Sequence, residues 1–124
     1  MERDTRQRRA IRRVLARSGR PLSTREVLAT AHRHAPTLGQ ATVYRCVKAL
    51  LEEGWLVAVE VPGEPSRYEP AGKRHHHHFQ CRRCDRVFEV EGCRTGPSRG
   101  PKGFVVESHA MFYYGRCATC AGAA

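Results

Sequence analysis

No stretch of the 124 residues approaches the ~18 consecutive apolar positions of a membrane-spanning helix. The opening MERDTRQRRAIRR is charged and has no apolar signal region behind it. These absences predict a cytoplasmic protein with no membrane partner. Acidic residues are also scarce, with 12 Asp+Glu against 22 Lys+Arg and a net charge of +10. That deficit favours a polyanionic partner through counterion release, nucleic acid first. There is no H-E-x-x-H motif and no positioned nucleophile, which argues against a hydrolytic metalloenzyme. Internal repeats are absent. The chain is long enough for one domain or two very small ones. At 40% hydrophobic residues some core is available, but a unit of half this length usually needs a metal, disulfides or a partner chain.

What is present begins with arginine. Eight fall in the first twenty residues (Arg3, Arg6, Arg8, Arg9, Arg12, Arg13, Arg17 and Arg20), against Glu2 and Asp4. A solvated helix face and a phosphate-contacting face both fit that run. Residues 5–18 place Ile11, Val14 and Leu15 at helical spacing and end at Gly19 and Pro21. Ser23 and Glu26 form a capping-box pattern that predicts a second helix, carrying Val27, Leu28 and Ala31 and closed by Pro36. A third helix, within TLGQATVYRCVKALLEEG, has Val43, Val47, Leu50 and Leu51 on one stripe. Gln40, Thr42, Tyr44, Arg45 and Lys48 lie largely away from it, and these are types that contact nucleic acid. Trp55–Val61 then reads as a strand that turns through PGEPS and returns as RYE. Three helices and a hairpin are the order of a winged helix-turn-helix, whose last helix enters the major groove.

Composition shifts at Pro70-Ala71-Gly72, which divides the chain into 1–72 and 73–124. Beyond it short strands are expected at 75–80, 86–91, 104–107 and 110–115. The Gly- and Pro-rich GCRTGPSRGPKG between the second and third of these should not be helical. Six cysteines are present: Cys46, in the third helix as a small core residue, Cys93, and two Cys-x-x-Cys pairs. Cys81/Cys84 and Cys117/Cys120 have thirty-two residues between them. Four thiolates in two matched knuckles are the donor set of a closed, structural zinc site, which would clamp the C-terminal tail onto the strand hairpin. Disulfides or a redox pair are the alternative.

Four histidines, His75 to His78, run into the first knuckle. An internal position leading into a strand does not suit a purification tag, and a solvated loop is the plainer alternative. On an extended segment they alternate between faces, so His75 and His77 form one pair and His76 and His78 another. Glu69, Glu89 and His109 are candidate partners. Nitrogen/oxygen sites of this kind hold Zn, Fe or Mn, and without catalytic groups they suit reversible sensing.

ATVYR in the third helix, RYE, HHHHFQCRRC and ESHAMFYYGRCATC together resemble the ferric uptake regulator family of metal-dependent bacterial repressors, over nearly the whole chain. The resemblance implies an α+β protein with an N-terminal winged helix-turn-helix and a small C-terminal α/β dimerisation domain of mostly antiparallel strands. Here the helix usual in that domain is missing. It implies a homodimer that binds promoter palindromes in double-stranded DNA when regulatory metal is bound. Cys81, Cys84, Cys117 and Cys120 match structural zinc ligands. Glu69, His76, His78 and Glu89 match a hinge regulatory site, in which a further ligand of some members falls on Pro21. His75, His77 and His109 match a second site whose usual glutamate lies on the missing helix, with Glu91 or Cys93 as substitutes. Tyr44 and Arg45 match recognition-helix contacts, and Arg8 resembles a basic residue of the first helix that reaches DNA. Histidine-rich sites and a spare cysteine lean toward a zinc uptake regulator, with iron, manganese or peroxide sensing as the alternatives. A zinc-ribbon nucleic-acid-binding module without sensing is the reading from another class.

Overall fold

The computed structural model describes residues 5–92 and 100–122. The chain divides at Gly72/Lys73 into two compact units. The N-terminal unit contains α1 (Thr5–Arg17), α2 (Thr24–Ala31), α3 (Gln40–Glu52), β1 (Leu56–Val59) and β2 (Arg67–Pro70).

Its helices form where the apolar spacing places them, and their stripes meet in one core. Ile11, Val14 and Leu15 of α1 pack with Val27 and Ala31 of α2 and with Val43, Cys46, Val47 and Leu50 of α3. Cys46 is buried there as a small apolar side chain. The capping box at α2 is complete: Glu26 N–H donates to Ser23 Oγ at 3.2 Å, and Ser23 N–H donates to Glu26 Oε1 at 3.0 Å. Helix α3 ends in a Schellman motif. Gly54, at φ 80°, takes the left-handed position, while Gly54 N–H reaches Leu51 O and Trp55 N–H reaches Leu50 O. The chain thus turns directly into β1, which pairs antiparallel with β2 from Leu56↔Pro70 to Val59↔Arg67. Leu22 bridges Tyr68 on the other side of β2, with both backbone bonds made.

The C-terminal unit holds β3 (His76–Cys81), β4 (Val87–Glu91), β5 (Phe112–Gly115) and a short α4 (Ala118–Ala121). The strand order is β4-β3-β5, with β3–β4 antiparallel and β3–β5 parallel. One expectation needs correction here. Residues 104–107 form no strand; Phe104 and Val105 are exposed at 68% and 88%. Their β-propensity is high, but no neighbouring strand among the described residues pairs with them. The four-residue α4 was not expected, and no amphipathic period can be read over so short a span. Pro101 to Phe104 form a turn, closed by Phe104 N–H donating to Pro101 O at 3.0 Å. Cys93 lies outside the described residues.

Candidate metal centres and nucleic-acid face

The thiolate quartet is assembled from two local turns. In the first, Asp85 sits at φ 66°, its N–H donates to Cys81 O at 2.9 Å, and its carboxylate accepts from Gln80 Nε2 at 3.0 Å. Asp tolerates this left-handed conformation better than most residues. The turn brings Cys84 N–H to 3.4 Å from Cys81 Sγ. In the second, Cys117 caps α4 and Cys120 follows one turn later on the same face. Pairing of β5 along β3 joins the two, and Arg82 N–H reaches Gly115 O at 2.7 Å. All four sulfurs lie within 4.8 Å of one another, with Cys84 Sγ and Cys117 Sγ 3.9 Å apart. A tetrahedral zinc with bonds near 2.3 Å needs sulfurs about 3.8 Å apart, so the quartet fits that ion and is too open for disulfides. The electrostatics agree. The backbone N–H of Cys84 draws the Cys81 thiol down to about 6. Burial, with the neighbouring thiols, pushes Cys120 up to about 12. Four negative sulfurs cannot share this space without a dication between them.

Alternation along β3 separates the histidines. His75, His77 and His109 converge, each offering a nitrogen within 4.8 Å of the others. His75 Nε2 and His109 Nε2 are 3.1 Å apart, and one must donate to the other. His77 is 2% exposed. Burial holds its pKa below the ordinary value, helped by the neighbouring imidazoles. Its Nδ1 accepts the Met111 N–H at 3.2 Å, so the neutral ring carries its proton on Nε2. That atom is buried with no hydrogen-bond partner. The trio can hold a metal, but ligation through Nε2 requires that proton to leave. The register removes one expected fourth ligand. Glu91 pairs with His76 and Glu89 with His78, whereas His77 faces Val90. Paired residues share a face, so Glu91 lies on the opposite side of the sheet from His77.

The opposite face carries His76. Its Nδ1–H donates to Arg74 O at 2.6 Å, which leaves Nε2 as a lone pair in the neutral ring. Nε2 lies 3.9 Å from Glu89 Oε1. His78 lies beside it, with ring centroids 4.8 Å apart. The same Glu89 oxygen accepts from Lys73 Nζ at 2.6 Å. Lys73 and Arg74 escaped the sequence reading, although a KR dipeptide directly before the histidine run was a visible signal. Glu69 is on β2, paired in register with Val57 and buried.

In the N-terminal unit α3 turns Gln40, Tyr44, Arg45 and Lys48 to solvent, with Thr42 half-buried. Tyr44 is 61% exposed, unusual for a large aromatic ring. Arg45 Nη2 donates to Thr42 Oγ1 at 3.3 Å, which steadies its guanidinium on the helix surface. Arg8 is ion-paired with Glu53.

A winged helix with an exposed polar third helix, joined to a unit built around thiolate and imidazole clusters able to hold metal, defines a metalloregulator-like architecture. The Ferric uptake regulator family profile matches residues 2–114, and the chain belongs to that family. It is 32% identical over 105 residues to the ferric uptake regulation protein of Bordetella parapertussis, covering 82% of this chain and 76% of that protein. It is 31% identical over 87 residues to the ferric uptake regulation protein of Campylobacter jejuni, covering 67% of this chain but 55% of that one. The chain therefore spans little more than half of the latter relative. Among solved structures, a zinc-bound manganese uptake regulator superposes with a TM-score of 0.74 at 25% identity, over 90% of this chain and 87% of that chain. These relatives are regulators, not enzymes.

Proposed function

We propose that this chain is a metal-responsive, DNA-binding transcriptional repressor that acts as a homodimer in the cytoplasm, and that zinc is its signal. Residues 1–72 are the DNA-binding domain, with Arg8, Gln40, Thr42, Tyr44, Arg45 and Lys48 as its contacts. Residues 73–124 are the metal-binding and dimerisation domain. Cys81, Cys84, Cys117 and Cys120 hold a structural zinc, whose role is to close a unit with little core of its own. Glu69, His76, His78 and Glu89 are the regulatory ligands, and His75, His77 and His109 belong to a second site.

The observation that carries this reading is the division of labour along β3. One strand feeds a closed four-thiolate cluster at its end and two imidazole clusters on its opposite faces. The first suits permanent binding, and the others suit exchange. A regulatory metal would stabilise those arrangements of the dimer in which both recognition helices meet their half-sites, by its differential affinity for them. Zinc is favoured because histidine-rich sites suit it better than manganese. Iron is the second reading, because relatives quoted above carry the name of ferric uptake regulators.

The test is affinity for a promoter palindrome at buffered free zinc, iron(II) and manganese, on protein that retains its thiolate-bound zinc. Tightening with zinc at the lowest free concentration is expected. Equal affinity with and without every metal would leave a zinc-ribbon-like nucleic-acid module instead.

A further inference from the structure

We propose that Lys73 is a built-in competitor for the cation at Glu89 and so sets the metal concentration at which the His76 face fills. The inference rests on the reading of His76 and Glu89 as regulatory ligands.

Residues 73 and 74, which lead into β3, act on this face in two opposed ways. The Arg74 carbonyl fixes the His76 tautomer that leaves Nε2 as a lone pair, at 2.6 Å from Nδ1. Lys73 places its ammonium 2.6 Å from the very Glu89 oxygen that His76 Nε2 faces at 3.9 Å. Glu89 is the carboxylate that both groups approach, and a cation beside it neutralises its charge. The ammonium is now that cation. Lys73, Arg74, His76, Glu89 and Glu91 border a cavity of about 480 Å³, so there is room for the ammonium to withdraw and for an ion to enter. A dication bonded to Glu89 Oε1 at ~2 Å would stand within a few ångströms of Nζ, and the two cations exclude one another. The Lys73 and Glu89 side chains are 29% and 20% exposed. The pair is therefore partly shielded from solvent yet not locked in.

A competing ion pair of this strength shifts an equilibrium by about fivefold. The experiment is zinc affinity of the full chain with its thiolate zinc retained, read by competition against a chelator of known affinity. Lys73→Met should bind the regulatory zinc about fivefold more tightly, whereas Lys73→Arg, which keeps the cation, should stay close to the parent. Glu89→Gln should bind more weakly, and adding Lys73→Met to it should bring no further gain, because the contested carboxylate is gone. A gain that persists beside Glu89→Gln would reveal only the altered net charge and overturn the proposal. So would unchanged affinity in Lys73→Met while His76→Ala binds more weakly. If His76→Ala leaves zinc binding untouched, the underlying assignment of this face as a metal site fails instead, whatever Lys73 does.

Discussion

His76 and His77 are neighbours with the same side chain and different chemistry. Backbone alternation sends them to opposite faces, and opposite hydrogen-bond polarity completes the separation. The Arg74 carbonyl can only accept, so a neutral His76 ring presents a lone pair at Nε2; the Met111 N–H can only donate, so the neutral His77 ring presents a proton there. Of the two, His76 needs less rearrangement to bind metal. Replacing it with alanine should abolish the metal response of DNA binding while costing the fold about 1 kcal/mol or less, as measured by urea unfolding of the metal-depleted regulatory site. Cys84→Ala should behave otherwise. It removes one of four ligands from a site that contributes roughly 10 kcal/mol in zinc-dependent small domains. Amide exchange in β3–β5 should then lose its protection, and zinc content should fall. Identical behaviour of the two variants would collapse the distinction between exchangeable and structural ligands.

At the scale of the element, α2 is held at its start by more than its capping box. Glu26 also accepts from Arg20 at 2.8 Å and from Arg67 of β2 at 3.2 Å, tying the helix to the wing. Arg67 is buried and shares a second carboxylate, Glu64, at 3.3 Å. Burial pushes the Glu26 carboxyl upward, but the Ser23 N–H and the two guanidinium groups outweigh it, and the net shift is below the ordinary 4.5. A carboxyl depressed in the folded state stabilises the fold above its unfolded value and stops doing so as pH falls through the lower, folded one. Glu26→Gln should therefore lower stability by about 1–2 kcal/mol at neutral pH and flatten its decline in the acid range below about pH 4.5. Equilibrium unfolding across that range checks it, and an unchanged acid slope would refute it. Such a helix was open to a sequence reading because its determinants are local: Ser23, Glu26 and the Val27/Ala31 stripe lie within one segment. Strand pairing was not. Phe104–Glu107 carries strand-forming side chains but finds no partner among the described residues, while β5 runs parallel to β3 across thirty residues of intervening chain. The same limit governed the site. Period-two alternation sorted the four histidines correctly by face, yet placing Glu91 required the β3–β4 register. That register is set by how the Cys81–Arg86 knuckle turns, with Cys81 N–H bonded to Arg86 O at 2.9 Å, not by any pattern within β4.

Across the whole molecule, apolar burial is distributed unevenly. The buried hydrophobic side chains run from Ile11 to Val61, and beyond residue 72 the described ones are Cys81 and Val87. The N-terminal unit thus has a core able to sustain it, whereas the C-terminal unit has little core, and a structural zinc at the proposed thiolate site would hold its two turns and three-stranded sheet together. The sole tryptophan reports selectively on this difference. Trp55 packs against the N-terminal core, with the Arg12 guanidinium 4.9 Å above its ring, while Tyr113 and Tyr114 lie on β5. A strong chelator should leave Trp55 emission and most helical circular dichroism unchanged, because α1 to α3 all belong to the N-terminal unit. It should abolish the near-ultraviolet signal of the two β5 tyrosines and the amide protection of the sheet. On heating in buffered zinc, the transition seen by β5 should move upward with free zinc, by about 2.7 kcal/mol at a hundredfold excess over the dissociation constant, while the transition seen by Trp55 stays fixed. A single transition common to both probes, moving with zinc as one, would mean that the two units unfold together and that the thiolate cluster supports the winged helix as well.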